Sequence, residues 1–135
     1  MGQEVRAEGN AMRSVVYLLA SLFLISACAI VRPPKVNHVV VCWLKDPGDA
    51  EQRHELIEAT KMFKELPGVE YVGAGTALPS TRPVVDRSYD VAIVMRFKDR
   101  KSLEQYQQSK IHRIAVERTL KPLVARYVVY DFESE

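Results

Sequence analysis

The sequence predicts an α+β domain whose elements run in the order β-α-β-β-α-β. Three observations carry this. Runs rich in β-branched and aromatic residues recur at 36–44, 69–77, 88–97 and 124–132. Leu56, Ala59, Phe63 and Leu66 recur at helical spacing between the first two runs, and Leu103 and Tyr106 do so between the last two. Proline and glycine stand at the junctions, as in "DPGD" and "LPGV".

The first run, "VNHVVVCWL", puts His38, Val40, Cys42 and Leu44 on one face and Val39, Val41 and Trp43 on the other. Both faces are apolar, so both need cover. "DPGD" ends the strand with turn chemistry. Asp49 is the expected N-cap of the first helix, with Gln52 completing a capping box. That helix is expected over 50–66, stopped by Pro67-Gly68. A second strand follows at 69–77, then a loop at 78–87. The third strand, 88–97, carries Tyr89, Val91, Ile93, Met95 and Phe97 on one face. Asp99 caps the second helix through Ser102. The last strand takes 124–132. This is the split, ferredoxin-like pattern. Two helices cover one sheet face and nothing in the chain is left for the other, so a second copy is the simplest cover.

Residues 12–28 read "MRSVVYLLASLFLISAC". Arg13 supplies a positive start and Val15 to Ile25 an apolar core, too short for a bilayer of about 30 Å but suited to an export signal. Ile25-Ser26-Ala27-Cys28 resembles the bacterial lipobox. That resemblance implies cleavage before Cys28, a diacylglycerol on its thiol, and a protein tethered to the cell envelope by residues 28–35. The alternative is a plain signal peptide or membrane anchor. Glu4 and Glu8 suit no signal, which points to Met12 as the true start. Which membrane holds it stays open, but Ala29 is not the aspartate of an inner-membrane retention signal, which in a Gram-negative cell favours the outer membrane.

The formal net charge is +2, with no long run of one sign, which argues against a nucleic-acid partner. The two cysteines, Cys28 and Cys42, form no CxxC, and His38, His54 and His112 make no local ligand pair, so neither a metal nor a cofactor is expected. If Cys28 is lipidated, Cys42 needs burial or a dimer partner, and its strand position favours burial.

From His38 to Phe132 the chain resembles the stress-responsive dimeric α/β-barrel domain family. The matching stretches are "NHVVVCWL", "LPGVEYVGAG", "SYDVAIVMRF", "LEQYQQSKIH", "LKPLV" and "VVYDF", in family order. The resemblance implies a domain at 36–133 whose sheet packs on its twin's to form a homodimeric barrel. A plant polyketide cyclase of the family performs an intramolecular aldol step with a tyrosine and a histidine in this helical region. Those positions fall on Tyr106 and His112, and an early-strand pocket histidine falls on His38. Two positions depart from that enzyme: Val91 replaces a strand histidine, and Ser109-Lys110 replaces a His-Pro pair.

On one unbroken helix, six residues amount to about 600° of turn and about 9 Å of rise, so Tyr106 and His112 would point apart. They converge only if the helix breaks between them. Ser109 offers the break by capping a second short helix, about 110–120, which Pro122 closes. His112 would then sit beside a helix N-terminus, where imidazolium is disfavoured. A neutral His112 could act as base and Tyr106 as hydrogen-bond donor to a carbonyl oxygen, with His38 orienting either. Each residue also has a plain structural role open to it: Tyr106 as core, His112 bonded to a nearby carbonyl, His38 as an interior hydrogen-bonded histidine. His54 reads as solvated. The expected function is therefore a lipid-anchored homodimer binding a small apolar or aromatic molecule. The alternative is a cofactor-independent enzyme of aldol, cyclase or proton-transfer type using Tyr106 and His112.

Overall fold

A computed structural model describes residues 34–135. Residues 1–33, with the expected export signal and Cys28, lie outside the described residues. The strands are β1 (Val36–Leu44), β2 (Val69–Gly75), β3 (Val91–Phe97) and β4 (Val124–Glu133). The helices are α1 (Ala50–Thr60), α2 (Arg100–Gln108) and α3 (Lys110–Ala115). The strands pair antiparallel in the order β2-β3-β1-β4, giving the ferredoxin-like sheet that the element order predicts.

Register follows from the alternation. Val36, Val40, Cys42 and Leu44 of β1 share the inner face with Val91, Ile93, Met95 and Phe97 of β3, and α1 and α2 close over them. Phe97, Leu44, Met95, Val91 and Cys42 are the most deeply buried large side chains. Burial pushes the Cys42 thiol up to about 11, so it stays protonated and inert. On the outer face no helix among the described residues lies over Val39, Val41, Trp43, Val94, Tyr130 and Phe132; Tyr130 and Phe132 are more than half exposed.

Four local expectations are corrected. The α-helical part of the first helix ends at Thr60 and tightens into a 3-10 turn, Lys61–Glu65. Leu66 is extended at ψ 140°, as the residue before a proline must be. The capping box at Asp49 is half formed. Its carboxylate accepts from the Gln52 backbone N–H at 2.8 Å, but the Gln52 side chain donates to Asp46 instead. The second strand stops at Gly75 and the third begins at Val91; just before it, Asp90 accepts on its carboxylate from the N–H groups of Leu44 and Gly48, so a side chain takes the place of strand pairing there. Pro122 does not close the last helix near 120. The path continues from α3 through a π-helical turn, Val116–Leu120, in which the Lys121 N–H donates to the Val116 carbonyl. That wider bonding shifts the ladder by a residue and carries Pro122, which has no N–H to lose, inside a final turn, Lys121–Leu123.

Candidate active site

Ser109 does break the helix. Its backbone is extended (φ −67°, ψ 149°), and its hydroxyl accepts from the His112 N–H at 3.0 Å. α2 ends and α3 begins on this one residue, so the chain changes direction between Tyr106 and His112. The two rings lie 4.7 Å apart between centroids, tilted by 59°. A continuous helix would have held them on different faces.

Tyr106 is buried, 5.2 Å from both Phe63 and Phe97 and 5.7 Å from His38. Burial, and secondarily the charge of Asp131, pushes its phenol well above the usual range. The hydroxyl therefore keeps its proton and stays a hydrogen-bond donor.

His112 Nδ1 lies 3.1 Å from the Gln107 carbonyl oxygen. A carbonyl only accepts, so Nδ1 carries the proton and Nε2 is the basic nitrogen of the neutral ring. Partial burial lowers its pKa below the ordinary histidine value. The Gln107 carbonyl opposes this, and His38 adds to the lowering. The ring is neutral near pH 7.

His38 lies on the inner face of β1, on the helix side. Its Nδ1 sits 2.6 Å from Asp131 Oδ1, on the residue it faces across the β1–β4 pairing. The Asp131 carboxylate accepts the Nδ1 proton, which leaves Nε2 as the ring nitrogen that Asp131 does not engage. His54 is exposed on α1 and touches none of this.

Tyr106, His112 and His38 all line one cavity of about 420 Å³. Val40, Leu56, Phe63, Ile93 and Met95 give it apolar walls. Tyr127 and Val129 border it from the edge strand, and Thr119 and Leu120 from the π-helical turn. Among the described residues, no lysine, arginine, aspartate or glutamate lines it. The arrangement offers one phenol donor and two imidazole nitrogens to an uncharged guest, a set suited to moving a proton at or beside an oxygen. Val91, at the position of the cyclase histidine, is fully buried and is not part of the lining.

Two contributors escaped the sequence reading. Gln107 matters through its backbone carbonyl, which no side-chain pattern announces. Asp131 is 93 residues from His38 in the chain and meets it only through strand register. The one local signal was an acidic residue at an inner-face position of β4, in step with Tyr127 and Val129.

The fold is shared with several solved structures. A ferredoxin-like family protein from Mesorhizobium loti is 22% identical, with a TM-score of 0.61, covering 76% of this chain and 98% of its own. A dimeric ferredoxin-like protein from Thermobifida fusca is 20% identical, with a TM-score of 0.63, covering 76% and 93%. A hydroxynitrile lyase from Passiflora edulis is 18% identical, with a TM-score of 0.63, covering 76% and 95%. No curated protein matches the chain. The family model of the stress responsive A/B barrel domain matches residues 36–134, and the chain belongs to that family.

Proposed function

We propose that the protein is a lipid-anchored homodimer of the bacterial cell envelope, on the outer membrane where the cell is Gram-negative, whose cavity binds a small, largely apolar or aromatic molecule carrying an oxygen. The cavity supports this reading: its volume suits a small guest, its walls are apolar, and its few polar groups cluster at Tyr106, His112 and His38. The uncovered outer sheet face and the dimeric Thermobifida fusca relative support the pairing. The anchor rests on the Ile25-Ser26-Ala27-Cys28 tetrad.

Binding is tested by displacing an environment-sensitive dye with neutral phenols and aromatic ketones. Saturable displacement that is lost in Ala59→Trp, which fills the cavity from α1, is the expected result. Displacement indifferent to that variant would sink the reading. For the pairing, sedimentation should give a dimer that Val41→Asp turns into a monomer. For the anchor, Cys28→Ser should release the protein from membranes.

A second reading, a cofactor-independent proton-transfer enzyme, is favoured by one observation: the 4.7 Å approach of Tyr106 and His112. His112 Nε2 would take a proton from a hydroxyl, or from carbon beside a carbonyl. Tyr106 would hold the oxygen on which charge develops, and His112 would return the proton to the product. A lyase acting on hydroxynitriles shares the fold, so an aromatic hydroxynitrile is a direct probe, with cyanide release as the readout. Deuterium exchange beside a ketone is the parallel assay. His112→Ala should lower either rate by about a hundredfold while dye displacement persists. A His112→Ala protein with full activity would overturn the assignment.

A further inference from the structure

The helical path from Lys110 to Leu123 has two unlike sides. Inward, His112, Ala115, Thr119 and Leu120 line the cavity. Outward, Lys110, Arg113, Arg118 and Lys121 are exposed around Ile111 and Ile114, which are 38% and 36% exposed. Glu117 is the sole acidic residue of this path, and Lys121 holds its carboxylate at 2.5 Å. Lys110, Arg113 and Arg118 enter no ion pair with another described residue. Together with Ile114 and Glu117 they border a surface groove of about 250 Å³. The exposed side of α1 is of another kind, with Glu51, Glu55 and Glu58 against few cations.

We infer that this outward side of the 110–123 path rests on an anionic lipid bilayer, with its cations on headgroup phosphates and its isoleucines at the acyl boundary. Three cations with no ion-pair partner among the described residues, set around exposed branched side chains, suit that surface, because charge brings the helix to the lipid and apolar area holds it there. A nucleic acid is less well served, since the face offers no aromatic ring for stacking. The inference rests on the lipid-anchor reading for its setting. Residues 29–35 span at most about 25 Å when extended, so a domain anchored through Cys28 would stay against the membrane.

The test separates the two ideas by leaving Cys28 out. Residues 29–135 suffice, because the sheet and core lie wholly within 36–133 and the Mesorhizobium loti protein is almost nothing but this domain. The domain is sedimented with vesicles of phosphatidylglycerol in phosphatidylcholine, and with phosphatidylcholine alone. Binding to the anionic vesicles only is expected. Arg113→Glu with Arg118→Glu should weaken it by at least about tenfold. Ile114→Ser should weaken it while leaving its salt dependence in place. Equal recovery with both vesicle types, or indifference to the charge reversal, would overturn the inference. So would binding to RNA or polyglutamate with none to vesicles. Because Cys28 is absent throughout, either result leaves the anchor to be judged by Cys28→Ser in the full chain.

Discussion

β3 and β4 each turn alternate side chains to the same face of one sheet, yet those side chains meet opposite fates. Val91, Ile93, Met95 and Phe97 of β3 are buried, the most exposed of them at 6%. Tyr127 and Val129 of β4, on that same inner face, are 53% and 41% exposed. The strands differ in position: β3 is central and lies under α1 and α2, whereas β4 is an edge that the helix layer does not reach. Alternation assigns a residue to a face; cover decides whether it is core. The cavity opens where the helices leave Tyr127 and Val129 bare, and it runs inward to Ile93 and Met95.

Truncation should separate the two strands most sharply. Phe97→Ala is expected to cost about 3–5 kcal/mol in urea unfolding, since a fully buried ring is replaced by a void. Ser109→Ala should cost about 1 kcal/mol by loss of the α3 cap. In that variant the His112 titration, followed by NMR, should move back toward the ordinary histidine value. Val129→Ala should change stability by no more than about 0.5 kcal/mol while weakening dye binding. A cost there matching that of Phe97→Ala would erase the distinction drawn between the strands.

The smallest effect expected is on pH dependence. His112 has a folded pKa below its unfolded value, so the unfolded chain takes up a proton first as pH falls. Its contribution to stability is complete above the ordinary histidine value and is lost as pH drops from there through the lowered one. His112→Gln should flatten that part of the curve, and an unchanged slope would mean that the ring is not desolvated as described.

Much of this was legible because it is local. Asp49, Asp99 and Ser109 cap the helices that follow them, and each cap is written within four residues. The break at Ser109 could be named from the chain alone, and with it the condition for Tyr106 and His112 to meet. The partner of His38 could not, because Asp131 reaches it through register between strands at opposite ends of the domain. Nor could the path of the last helix. Pro122 reads as a stop under α-helical bonding and ceases to be one once the preceding turn widens.

That widened turn has a consequence for how such a site could diversify. A π-turn is a helix holding one residue more than its pitch requires, and Val116–Leu120 is placed between His112 and the start of β4. Loss of a single residue there would restore α-helical pitch and leave the two flanks nearly in phase, because the widened turn absorbs the extra residue within itself. His112 and the sheet would keep their places, and only the wall formed by Thr119 and Leu120 would be reset. The segment therefore acts as an expansion joint, where a one-residue length change alters one wall of the cavity and spares the rest.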